Sequence, residues 1–158
     1  MTEAYHKIIA LLEKNEAKYT AFHHAPTVSS EESARIKGTS LHGGAKAIVI
    51  QGKKTRSYAL FVMPGDLRMD GKKVSAVIGE KFSFAPDPEI ATGCVRGSVP
   101  PLGSVIGLKT YCDKRLAENE TIHFNAGSLT DSVSMKYVDY IAIENPEIVD
   151  VTEMDVRE

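Results

Sequence analysis

Apolar residues along the chain fall into short runs whose spacing switches between helical and alternating. Tyr5, Ile8, Ile9, Leu11, Leu12 and Ala17 recur on one side at helical steps. This predicts an opening helix over 4–18, with Thr2 as cap and a glutamate nearby to favour the dipole. Residues 19–23 alternate as a short strand would. Residues 24–28 turn the chain. Ser29 and Glu32 have capping-box spacing, so a second helix is expected to run to Lys37 and stop at Gly38. Residues 43–51 form an apolar strand entered through two glycines, 53–57 a hairpin turn, and 58–63 the returning strand, which Pro64-Gly65-Asp66 ends. A helix over 70–79, a strand at 82–84 and a brief helix over 87–92, with Asp87 as cap and Pro88 first inside, complete the middle.

After 103 the pattern predicts a strand over 104–111, a polar loop with a helical turn over 113–119, paired strands at 120–125 and 131–135, a helix over 137–143 and an edge strand at 147–151. No internal repeat interrupts this order. Mixed succession of at least six short strands and four helices predicts an α+β domain, built on a single curved or barrel-like sheet with helices outside.

Between the helix at 87–92 and the strand expected at 104 lies Thr92-Gly93-Cys94-Val95-Arg96-Gly97-Ser98-Val99-Pro100-Pro101-Leu102-Gly103. Gly97 and Gly103 permit positive φ or close approach, while Pro100 and Pro101 fix φ and lack an N–H. Such a loop either aims its remaining amides and carbonyls at a ligand or simply joins two elements tightly. Lys46 poses a related question. It stands at the start of a strand whose neighbours are apolar, so its ammonium either meets a partner or wet cavity, or snorkels to solvent.

Composition narrows the classes. With 158 residues, 42% hydrophobic and 25% charged, the chain is a single globular domain with one sizeable core. No run approaches the roughly 18 apolar residues that span a bilayer, and the start lacks a signal-peptide pattern, so a cytoplasmic protein without membrane contact is expected. Cys94 and Cys112 have no metal-type spacing and read as core residues; the alternative is a reactive thiol at Cys94, beside the glycine loop. The five histidines are scattered, and neither a phosphate loop nor a dinucleotide fingerprint is present, so no metal or nucleotide cofactor is expected.

Net charge is −2, but it is unevenly spread: residues 139–158 hold seven acids and one arginine, leaving 18 basic against 14 acidic residues before them. Lys53, Lys54, Arg56, Arg68, Lys72, Lys73 and Lys81 group in the middle, either as a phosphate-contacting surface or as a solvated face.

Ser30-Glu31-Glu32, Gly44-Ala45-Lys46, Pro64-Gly65-Asp66, Thr92-Gly93, Gly97-Ser98-Val99-Pro100-Pro101 and Asn125-Ala126-Gly127, in that order, resemble the YbaK family. That family includes the editing domain inserted in bacterial prolyl-tRNA synthetases and its free-standing relatives. The resemblance covers nearly the whole chain. It implies a mixed, mostly antiparallel fold around one barrel-like sheet, and hydrolysis of the ester in tRNA carrying a wrong, small amino acid. On that pattern Lys46, Gly97, Ser98 and Pro101 are the catalytic set, and Thr27, Val99, Pro100, Gly127 and Ser128 bind substrate. Mischarged tRNA is the implied partner, with an aminoacyl-tRNA synthetase as a second. Many members carry histidine or arginine shortly after the glycine equivalent to Gly127; here Ser128 and Leu129 follow.

No Ser-His-Asp, Cys-His or paired-carboxylate set is evident, which leaves loop backbone and a substrate ribose hydroxyl to do the chemistry, with Lys46 holding a phosphate or the terminal nucleotide. Two other readings stay open: a module that binds aminoacyl-tRNA or a synthetase without hydrolysis, and an unrelated small-molecule domain using the same pocket.

Overall fold

A computed structural model describes residues 2–26 and 40–153. The expected second helix with its capping box, and Thr27, lie outside the described residues. Helix α1 (Glu3–Lys14) buries Ile8 and Leu12, and the Thr2 hydroxyl accepts from Tyr5 N while donating to Gly127 O at 2.8 Å. One residue therefore both caps the helix and ties it to a turn over a hundred residues away. The helix ends sooner than its apolar spacing predicts, because the backbone and side-chain N–H groups of Asn15 both donate to Leu11 O.

The strands are β1 (Tyr19–His23), β2 (Ala45–Gly52), β3 (Tyr58–Pro64), β4 (Phe82–Phe84), β5 (Thr110–Asp113), β6 (Thr121–Asn125), β7 (Asp131–Lys136) and β8 (Glu147–Val149). They form two sheets, ordered β1-β7-β6 and β4-β2-β3-β5-β8. One curved or barrel-like sheet is expected from the sequence; the described residues form two sheets instead of one, and these touch through one parallel bridge, Gly44 to His123. Pairing is mostly antiparallel, as expected, but β3–β5 and β5–β8 are parallel. Strand patterns constrain local pairing, whereas the number of sheets depends on which distant edges meet.

Alternation along β2 and β3 sorts side chains to two cores. Ala45 and Val49 with Leu60 and Val62 join Ile122, Phe124, Val133, Met135, Ile8 and Leu12 in the main cluster. Ile50, Phe61 and Met63 face the other way, toward Val74, Tyr111 and Val151. Val74 comes from helix α2 (Gly71–Ile78), which Asp70 caps and Gly79 ends. Central strands buried on both faces are near-continuously apolar for this reason.

The expected strand over 104–111 is corrected. Helix α3 (Pro88–Thr92) leads into the glycine-proline loop, and the chain leaves it through a single turn, α4 (Gly103–Ile106), before β5 begins at Thr110. Leu108 N donates to Gly103 O, and Thr110 Oγ1 accepts from Gly103 N. At Gly103 a Cβ would lie 2.0 Å from Thr110 Oγ1, so this glycine permits close packing. Apolar Val105 and Ile106 meet the core from a helical turn, which alternation over so short a run does not distinguish from a strand.

Helix α5 (Tyr137–Glu144) then lies behind the loop. No helix among the described residues is long and apolar enough to cross a membrane.

Candidate active site

The loop over 94–102 is braced from within and from both sides. Ser98 is fully buried, and its N–H and hydroxyl both donate to Val95 O, at 3.0 and 2.7 Å. Gly97 has φ +88°, a region where side chains are strained, and its carbonyl accepts from Asn125 Nδ2 at 2.6 Å. Pro100 and Pro101 are buried, and Pro101 O accepts from the hydroxyl of Tyr140 at 2.7 Å. Tyr140 is itself fully buried, which drives its phenol pKa well above the ordinary value.

One turn on along α5, Glu144 accepts from Ser104 N, Ser104 Oγ and Thr110 Oγ1. Burial raises its pKa, outweighing those donors. Helix α5 thus grips the end of the loop and the turn after it from positions i and i+4. Between these anchors, Gly97 N, Val99 N and the carbonyls of Ser98, Val99 and Pro100 have no hydrogen-bond partner among the described residues. Two donors and three acceptors of this braced loop are therefore without a protein partner among the described residues.

Lys46 is half-buried on the β2 face that carries Ile48 and Ile50. Its Nζ donates to Leu67 O at 2.7 Å. Burial lowers its pKa; Asp66 opposes that shift and Arg68 adds to it. The bridge at Gly44 and His123 relates this lysine to the loop. Two residues further along each strand come Lys46 and Asn125, on the same side of neighbouring strand ends, and Asn125 is the residue that holds Gly97 O. The register thus places Lys46 and the asparagine that holds Gly97 O on the same face, two residues beyond the bridge.

Asn125 belongs to a polar ladder. Ser132 Oγ donates to Asn125 Oδ1 at 3.1 Å, and His24 Nε2 lies 2.7 Å from Ser132 Oγ. His123 Nε2 lies 2.8 Å from Ser40 O. His123, Asn125, Ser132 and Ser134 share one face of the three-stranded sheet, opposite the face that buries Ile122, Phe124, Val133 and Met135. Beside Lys46, His42 stands between carboxylates, 2.8 Å from Asp66 and 2.9 Å from Glu118. Burial alone would lower its pKa, but the two acids outweigh it and raise it.

Other residues expected at the site have mainly bracing contacts. Gly127 has φ +72°, and a Cβ there would lie 2.5 Å from Ala4 Cβ, so it packs against α1. Ser128 is buried and donates to Asp131 Oδ2 at 2.9 Å. Val99 packs on the main core, and Leu129 reaches the loop, its Cδ2 3.4 Å from where a Cβ on Gly97 would stand. Cys94 is 2% exposed and burial raises its pKa, which makes it a core thiol. In the sequence Asn125 stands out only as part of the Asn125-Ala126-Gly127 motif, and Ser132 and Tyr140 not at all. An asparagine inside a strand, where such residues are depleted, was the available signal.

A family model for the aminoacyl-tRNA editing domain matches residues 24–143, a span that contains the loop, Lys46, Asn125 and Tyr140. The chain belongs to that family. It is 34% identical over 151 residues to the Multifunctional Ser/Thr-tRNA deacylase ProXp-y of Escherichia coli (strain K12), covering 92% of this chain and 90% of that protein. A solved structure of a putative trans-editing enzyme for prolyl tRNA synthetase superposes with a TM-score of 0.81 and 21% identity, over 98% of this chain and 99% of the other. A hypothetical protein of known structure gives 0.84 and 18%, over 93% and 99%. These last two likenesses establish the fold. This editing domain is an aminoacyl-tRNA deacylase, an ester hydrolase.

Proposed function

We propose that the chain acts as one editing domain over residues 1–158 and works in trans, removing a wrongly attached small amino acid from tRNA by hydrolysing its ester to the terminal ribose. The observation that carries the mechanism is the division of the 97–101 backbone into anchored and unpartnered groups. Attack of water on the ester carbonyl builds negative charge on oxygen, which Gly97 and Val99 N–H are available to receive. The unpartnered carbonyls of Ser98, Val99 and Pro100 are suited to orient the water or the substrate ammonium. The adjacent ribose hydroxyl passes a proton to the leaving oxygen as the C–O bond breaks and regains one from the attacking water, leaving free amino acid and intact tRNA.

Lys46 holds a phosphate of the terminal nucleotide, a task suited to a compact cation with three donors. An aminoacyl ester is already reactive, so orientation supplies much of the acceleration. Leu129 beside Gly97 gives the amino-acid pocket an apolar wall where many relatives place a polar side chain. A pocket closed by two prolines and a leucine selects by excluding larger side chains, since one methylene is worth only about 1–3 kcal/mol. The two sheets joined at Gly44 and His123 together form a barrel-like wall around this crevice. The reaction takes place in the cytoplasm, with a synthetase as a candidate partner.

The relative named a Ser/Thr-tRNA deacylase makes serine and threonine esters the first to try. A panel of tRNAs mischarged with serine, threonine, alanine, cysteine and proline should release free amino acid over many turnovers, fastest for the smallest acceptable side chains. Lys46→Ala should lower kcat/KM at least about tenfold. An unchanged kcat/KM in a folded variant removes the lysine from the mechanism, and tight tRNA binding without release makes the protein a binding module.

A further inference from the structure

The proposed site deals with the end of a nucleic acid, and the rest of that polyanion must leave the crevice along some surface. Strand β2 links Lys46 to a basic tip. From Lys46 to Lys53 is seven residues, or roughly 23 Å of extended chain. At that far end, Lys53, Lys54 and Arg56 occupy the β2–β3 turn, and Lys53 N donates to Lys81 O at 2.8 Å, which brings a fourth cation alongside. All four residues are exposed.

Two further observations separate this tip from an ordinary solvated face. The one acid within it, Glu80, is engaged by the turn itself: its carboxylate accepts from Lys54 N, Thr55 N and Thr55 Oγ1, at 2.7, 3.0 and 2.7 Å. It therefore organises the backbone of the turn and attracts Lys54 through space, without closing an ion pair with any of the four cations. None of Lys53, Lys54, Arg56 and Lys81 forms an ion pair among the described residues, whereas Lys73, Lys109, Lys114 and Arg115 are paired with the acids of the 147–150 segment. In addition, Arg56 has φ +63°, a conformation in which glycine or asparagine is the usual occupant. Its N–H donates to Gly52 O and its carbonyl accepts from Gln51 Nε2, so the strained backbone is held in place with an arginine at its apex.

We propose that this tip is a docking surface for the phosphate backbone of the tRNA, beyond the aminoacylated end held near Lys46. The inference rests on the deacylase reading for its ligand, and its recognition is electrostatic and independent of base sequence.

The test is binding of uncharged tRNA to the full chain, followed by fluorescence anisotropy at several salt concentrations. Lys53→Ala/Lys54→Ala/Lys81→Ala should raise Kd at least about tenfold and reduce the log–log salt slope by about two units. The triple variant Lys7→Ala/Lys14→Ala/Lys18→Ala, which removes equal charge on and just after α1, should stay within about twofold of the parent. Arg56→Gly relaxes the backbone while deleting a cation, so Tm should hold or rise as tRNA affinity falls, a combination that a merely structural role does not produce. Hydrolysis of an aminoacyl ester of adenosine alone should be unchanged in all these variants.

Parent-like affinity and salt slope in the Lys53/Lys54/Lys81 variant overturn the proposal. So does an equal loss on the adenosine ester, because the tip then acts on the site or fold. Loss of synthetase binding with tRNA binding intact also overturns it, assigning the tip to a protein partner. If the parent binds tRNA through the tip but hydrolyses no ester, the deacylase reading fails and the docking surface stands.

Discussion

Two hydrogen-bonding regions of this molecule, one of charged side chains around Asp113 and one of backbone groups at 97–101, are left in opposite states. Around Asp113, every strong group is engaged: the fully buried carboxylate accepts from Arg115 N, Val151 N, Thr152 N and Thr152 Oγ1. Asp150 meanwhile bonds Arg115 and Lys73. This cluster staples the segment after β8 to β5. In the loop over 97–101, Asn125 and Tyr140 hold the two ends and Ser98 bonds back to Val95 O, while Val99 N and the carbonyls of Ser98, Val99 and Pro100 have no hydrogen-bond partner among the described residues. A saturated network resists change, while a rigid but unsaturated one is ready to bind. On the proposed mechanism the chemistry falls to the unsaturated loop and not to the Asp113 region, which carries more charge.

The largest effect should come from breaking the saturated region. Asp113→Ala strips a buried acceptor from several donors and should cost roughly 3–5 kcal/mol in denaturant unfolding. Activity per folded molecule should stay unchanged, and a selective loss of kcat would erase the distinction between the two regions.

Next comes the loop. Tyr140→Phe removes one hydroxyl and leaves Pro101 O without its donor, costing about 1–2 kcal/mol of stability. Its sharper effect should be on rate. Displacing the loop should lower kcat about tenfold with little change in KM, since about 1.4 kcal/mol of lost transition-state stabilisation is tenfold. Steady-state kinetics over a range of mischarged tRNA concentrations separates the two parameters, and a rise in KM with kcat unchanged would make Tyr140 a binding element.

The smallest effect is on acid stability. Hydrogen bonds from Arg115 and then Lys73 pull the Asp150 pKa down from 3.8 to about 2. Between those values the unfolded chain binds more protons than the folded one, so this stabilisation is complete above about pH 4 and lost as pH falls toward 2. Because the Asp150 side chain is 40% exposed, solvent screening keeps the contribution modest. Asp150→Asn should flatten that part of the pH–stability curve, and an unaltered curve would show that the ion pairs do not hold in solution.

Several elements were legible for reasons that are local. The α1 pattern, the helix over 70–79, the Asp87 cap with Pro88 first inside and the 53–57 hairpin turn depend on neighbours within a few residues, and each formed at or near the expected place. The turn at 103–106 was not legible, because its cause is Thr110 folding back on Gly103. At the site, Gly97 and the prolines marked a stiff loop, but nothing local marked Asn125, Ser132 or Tyr140 as its supports. Ser98 and Ser128 resembled site hydroxyls in sequence, and both are engaged in bracing the backbone.

By itself, then, the sequence determined the caps, the turns, the two-sided apolar strands and the motif order that marks an editing domain, because helix capping and hydrophobic periodicity are short-range. Only tertiary structure decided that the strands divide into two sheets, that Asn125 reaches Gly97, and that α5 holds Pro101. Those outcomes depend on hydrogen bonds between groups 28 and 39 positions apart, whose formation depends on how the whole core packs.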